Sequence, residues 1–103
     1  MDKAMMAAVL GGLSMALVVA PATAEPDVEM MANSCAICHG TDGRSPDSDS
    51  IESLAGLSTD EFIEEMQEFK YEKGEGRIMG VIAQGFTDQQ IRSLARYFQS
   101  LKR

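Results

Sequence analysis

Three stretches of the chain place apolar residues at the three-to-four-residue spacing of an α-helix. In the first, Val28, Met31, Ala32 and Cys35 recur at i, i+3, i+4 and i+7. They follow Glu25-Pro26-Asp27, whose proline suits the first helical turn and whose carboxylates suit the positive end of the helix dipole. The second stretch opens with a capping box, Ser58-Thr59-Asp60-Glu61, with Leu57 and Phe62 placed as a hydrophobic staple. It carries Phe62, Ile63, Met66 and Phe69 on one face and is expected to fray near residues 71–74. In the third, Thr87-Asp88-Gln89-Gln90 repeats the box, Phe86 and Ile91 repeat the staple, and Ile91, Leu94, Ala95, Phe98 and Leu101 form one face. Lys102 and Arg103 then suit the negative end of that helix. Residues 40–56 and 73–85 break the periodicity. The first of these segments mixes Gly40, Gly43 and Pro46 with four serines, and the second holds Gly74, Gly76, Gly80 and Gly85, so both are expected to be loops. With no strand-like alternation and no internal repeat after residue 25, the pattern predicts an all-α fold of three main helices.

The start of the chain reads differently. Residues 4–20 are a long apolar run that ends in Pro21-Ala22-Thr23-Ala24, a small-x-small pattern preferred by signal peptidase. This predicts a signal peptide over residues 1–24, cleaved after Ala24, and a single domain over residues 25–103 exported to the periplasm. The alternative is an uncleaved membrane anchor. That run is at the lower length limit for spanning and is interrupted by Gly11-Gly12, so no stable membrane insertion is expected after cleavage. The leader holds one acid, Asp2, and one base, Lys3, so the net charge of −7 belongs wholly to residues 25–103. Such an acidic domain argues against nucleic acid or anionic membrane as partner. A domain this short has little core of its own and usually needs a staple.

Candidate chemistry supplies that staple. Cys35-Ala36-Ile37-Cys38-His39 matches the c-type haem attachment pattern. One helical turn presents both sulfurs to two vinyl groups on one porphyrin edge, and the next residue offers an imidazole to the iron. His39 is the only histidine, which suffices if a sulfur from elsewhere closes the opposite face. A redox dithiol or half of a zinc site would also begin with Cys-x-x-Cys. The zinc reading is one donor short, because these are the only cysteines, and the dithiol reading expects a strand before the motif.

For the sixth ligand, Met30 and Met31 lie on the helix that carries the thioethers and cannot reach across a ring. Met66 falls in a core stripe and reads as packing. Met79, in Ile78-Met79-Gly80, is flanked by glycines that let a segment approach the ring closely and turn away, and is the expected distal ligand. The carbonyl that should accept a hydrogen bond from His39 Nδ1 is expected at Pro46 or Ile51. Asp42, Asp47 and Asp49 lack the register and terminal glutamate of a calcium loop.

With these features placed, the chain resembles a class I cytochrome c over residues 25–103, and within that family the monohaem subunits of flavocytochrome c sulfide dehydrogenases. The likeness is carried by Ser34-Cys35-Ala36-Ile37-Cys38-His39-Gly40-Thr41-Asp42-Gly43, by Ser53-Leu54-Ala55-Gly56-Leu57, and by residues 77–88 with Leu94-Ala95-Arg96-Tyr97-Phe98. Many electron carriers of this class have proline directly after the ligand methionine, where this chain has Gly80. Relatives often have proline where it has Glu52. The resemblance implies one covalent haem c, thioether-bonded to Cys35 and Cys38 and ligated by His39 and Met79. It also implies no catalysis by this chain alone, a flavoprotein partner that carries FAD and oxidises sulfide, and a downstream electron acceptor. A free electron-shuttling cytochrome and a haem-free periplasmic dithiol or metal-binding protein remain as alternatives.

Overall fold

The structure, a computed structural model, describes residues 11–19 and 26–103. Its elements in chain order are helix α1 (Val28–His39), a 3₁₀ turn (Thr41–Gly43), and helices α2 (Thr59–Tyr71), α3 (Ile78–Gln84) and α4 (Asp88–Ser100). The all-α expectation holds. There are four α-helices among the described residues rather than three, the extra one being α3 in a segment read as a loop. Its glycines count against a helix by propensity, and at seven residues it would not be stable alone. Packing on α2 overrides that preference: Gly80 and Ala83 are its buried residues.

The helix starts follow from their capping groups. Asp27, rather than Pro26, opens α1, its carboxylate accepting from the Glu29 amide at 2.8 Å. Of the box expected at Ser58, the bond from the Glu61 amide to the Ser58 hydroxyl forms, at 3.2 Å. At Thr87 the box is complete, with the Gln90 amide donating to the Thr87 hydroxyl (3.1 Å) and the Thr87 amide to the Gln90 side chain (2.9 Å). Substituting either cap by alanine costs about 1 kcal/mol. Lys102 and Arg103 lie past the end of α4, and Arg44 Nη2 donates to the Lys102 carbonyl at 2.6 Å.

α4 is the centre of the packing. Ile91, Leu94 and Ala95 are wholly buried and Phe98 is 1% exposed. Phe98 stacks on Phe62 of α2 at 5.6 Å between ring centroids and meets Tyr97 edge-on at 5.5 Å. Met31 and Ala32 of α1 join the same cluster, as do Leu54 and Leu57 from the connection into α2. Burying side chains of this size is worth about 1.5–3 kcal/mol each.

Residues 11–19 form no helix or strand and are exposed, and no helix among the described residues is long and apolar enough to cross a membrane. The expected cleavage point after Ala24 lies outside the described residues.

Candidate functional site

α1 ends in the haem motif. Cys35 and Cys38 are three residues apart, close to one helical turn, so their sulfurs leave α1 on one side. Cys35 is half-buried against the core, whereas Cys38 is exposed. Burial pushes the Cys35 thiol above its ordinary range, and a hydrogen bond with Ser34 works weakly against that shift. The chain then turns sharply at Gly40, whose φ of +86° and contact with the Arg44 carbonyl leave no room for a Cβ.

That turn sends the next segment back beneath His39. The Leu54 amide donates to the Gly43 carbonyl (2.7 Å) and the Ser45 amide to the Ser53 hydroxyl (2.9 Å). The carbonyl just ahead of Ser53 is thereby brought to the imidazole, and His39 Nδ1 donates to Glu52 O at 2.6 Å. The acceptor is therefore Glu52, not Pro46 or Ile51. Composition alone points to those two positions, whereas the acceptor is set by how the returning loop pairs with residues 43–45. Because a main-chain carbonyl does the work, the Glu52 side chain is not needed for it. With Nδ1 committed, Nε2 is the ring nitrogen left as a possible metal donor.

An apolar cavity of about 370 Å³ opens beside these groups, within the range of roughly 300–1,000 Å³ usual for small-molecule and cofactor sites. From α1 it is lined by Cys35, Cys38 and His39, from α2 by Phe62, Met66 and Phe69, and from the α3 region by Ile78, Met79, Ile82 and Phe86. All four expected site residues thus meet at one cavity. Met66 is buried in the core, as its stripe predicts, while also forming part of the wall; Met79 is half-buried. Met30 is 69% exposed, Met31 belongs to the core, and neither lines the cavity. A second hollow of about 390 Å³ runs along the outer face of α2 and touches none of the candidate residues.

Two wall residues carry no signal in the sequence pattern. Glu52 and Glu65 both line the cavity, and the Glu65 carboxyl is pushed up to about 7, first by its hydrogen bond with Glu52, then by burial and by the charge of Glu52. No local pattern links two glutamates so far apart in the chain. Only the return of the loop over α2 brings them together.

The segment bearing α3 is pinned at its base. Lys70 donates to the Phe86 carbonyl at 2.8 Å and to Asp88 Oδ1 at 3.1 Å, and the Tyr71 hydroxyl donates to Asp88 Oδ1 at 2.8 Å. The Tyr71 bond, with that from Lys70, holds the Asp88 carboxyl below its ordinary range, and Asp88 raises Lys70.

The Cys35/Cys38/His39 arrangement fits covalent attachment of haem c: two thiols one turn apart, an imidazole with its outer nitrogen tied, and an apolar cavity against both. Comparison with known proteins agrees. Over 75 residues the chain is 38% identical to a cytochrome subunit of sulfide dehydrogenase from Chlorobaculum tepidum, covering 73% of this chain. The match spans 66% of that relative's length. Over 86 residues the chain is 31% identical to cytochrome c-553 of Helicobacter pylori, covering 84% of this chain and 90% of the other. The cytochrome c family model matches residues 28–102, from the first residue of α1 to just past the end of α4, and so takes in every helix described above. The chain therefore belongs to the cytochrome c family, as a class I domain whose role is to carry electrons rather than to catalyse.

Proposed function

We propose that Cys35 and Cys38 hold one haem c through thioether bonds, that His39 Nε2 and the Met79 thioether ligate its iron, and that the chain passes single electrons from a flavoprotein sulfide dehydrogenase subunit to a downstream acceptor. The observation that carries this reading is the convergence of these four residues, drawn from α1 and α3, on one apolar cavity. A bound haem would supply a one-electron redox change, and His39 and Met79 as the two protein donors to its iron would leave no position for substrate. The protein's own groups do the rest. Glu52 O holds the His39 ring in one orientation and keeps the proton on Nδ1. The walls from Phe62, Phe69, Ile82 and Phe86 exclude water, which favours the less charged, reduced state of the site.

The relative named as a cytochrome subunit of sulfide dehydrogenase supports the choice of partner; FAD is proposed to sit on that partner and not on this chain. Residues 1–24 act as a cleaved leader, consistent with the extracytoplasmic setting in which haem c is attached, and residues 25–103 are the mature periplasmic domain. The test is purification from the native periplasm with a pyridine haemochrome spectrum and a sulfide-driven reduction assay. The expected result is one haem c per chain, a co-purifying FAD protein, and haem reduction on adding sulfide. A haem-bearing chain isolated alone and unreduced by sulfide with its periplasmic proteins present would assign it to free electron shuttling instead.

A further inference from the structure

We infer that a direct main-chain contact between Gly74 and Gly80 is the device that sets the position of Met79, making these two glycines positioning residues for the distal ligand; the inference rests on the assignment of Met79 proposed above. After α2 the chain folds back tightly: the amides of Glu72 and Lys73 both donate to the Glu68 carbonyl, at 2.9 and 2.7 Å. Gly74 then lies against the last turn of α2, so close that a Cβ there would run into the Phe69 carbonyl and come within 2.7 Å of the Gly80 Cα. From the other side, a Cβ on Gly80 would strike the Gly74 carbonyl. Both glycines are buried. Two further bonds, from the Arg77 amide to Gly74 O and from the Gly80 amide to Arg77 O, each 3.1 Å, complete the turn into α3.

Three layers of backbone, the end of α2, Gly74 and the first turn of α3, are therefore stacked with no side chain between them. Met79 immediately precedes Gly80 on α3 and lines the cavity together with Met66 and Phe69 of α2. Its distance from the cavity is thus referred to the α2 backbone through the glycine contact. What a methyl group would meet is a carbonyl of the main chain, which cannot swing aside as a side chain can. α3 has to lift, and the thioether lifts with it.

Intrinsic propensity predicts the opposite sign, since alanine is the better helix former, so Gly80→Ala separates the two effects. Holoprotein is made in a host competent for cytochrome assembly as wild type, Met79→Ala, Gly80→Ala, Gly74→Ala and Val81→Ala. Ferric proteins are compared by near-infrared sulfur-to-iron absorption and by titration with imidazole. Gly80→Ala and Gly74→Ala are expected to lose most of that absorption and to bind imidazole at least about tenfold more tightly, because apparent affinity follows the fraction of open sites. Val81→Ala, on the exposed side of α3, should match wild type. Both glycine variants matching wild type overturns the inference while leaving Met79 as ligand. Absence of the absorption from wild type itself, or its survival in Met79→Ala, overturns the ligand assignment and the inference with it. Should neither glycine variant accumulate, hydrogen exchange of wild type in increasing urea decides. Exchange of the Arg77 and Gly80 amides in step with loss of the absorption supports the contact, and exchange at independent urea concentrations overturns it.

Discussion

On the α1 side of the cavity, three candidate haem-binding groups fall within five consecutive residues at the end of one helix. On the α3 side, a lone thioether sits on a seven-residue helix whose N-terminus has no side-chain cap. The α1 side is backed by α4, with its wholly buried Ile91, Leu94 and Ala95, and its imidazole is held by a 2.6 Å bond. The α3 side is held by small residues, Gly80 and Ala83, and by the Lys70–Asp88–Tyr71 clasp at its base. One proposed ligand is therefore presented by an element that packs well in its own right, the other by an element that depends on its neighbours. In a site so built, disturbance of the distal ligand should leave the proximal attachment intact, whereas disturbance of α4 should unsettle both.

The strongest way to break the contrast is to remove an attachment point. Cys35→Ala together with Cys38→Ala should abolish covalent haem altogether, read as loss of haem staining on a denaturing gel. Phe98→Ala comes next: deleting a ring that is 1% exposed should cost about 3–5 kcal/mol, read from the denaturant midpoint, and should loosen both sides of the cavity at once. Met79→Ala should sharpen the contrast, with haem still attached, the near-infrared sulfur-to-iron absorption lost and the reduction potential lowered.

A gentler probe is pH. The Asp88 carboxyl is held below its usual 3.8 by Tyr71 and Lys70, so its share of stability is present above that value and is lost as pH falls through its folded value. Lys70 is raised above 10.5, chiefly by Asp88, so its share is lost only as pH rises past that. Asp88→Asn should therefore be less stable than wild type at neutral pH, and the gap should close on acidification below 3.8, as followed by thermal melts across pH. The smallest effect is expected from Glu52→Ala. The His39 bond uses the main-chain carbonyl and should persist, while Glu65, freed of its hydrogen-bond partner, should fall from about 7 toward its ordinary range in an NMR titration.

Much of this domain is legible without coordinates because the controlling physics is local. The haem motif, the Thr87 capping box and the apolar faces of α1, α2 and α4 are set by spacing within one or two helical turns, and each appears where the pattern puts it. Three features were not legible. The helical state of residues 78–84 opposes propensity and depends on a contact with α2. The partner of His39 depends on the loop pairing Leu54 with Gly43, a choice that Pro46 and Ile51 satisfied equally well on paper. The Glu52–Glu65 pair depends on where that loop crosses α2. The chain by itself thus determined which residues are the candidates to hold a haem and which faces are buried, because those follow from short-range periodicity and donor chemistry. Tertiary structure decided how these candidate groups are placed, because a carbonyl acceptor, a glycine contact and a facing carboxyl pair each join backbone segments that no local pattern connects.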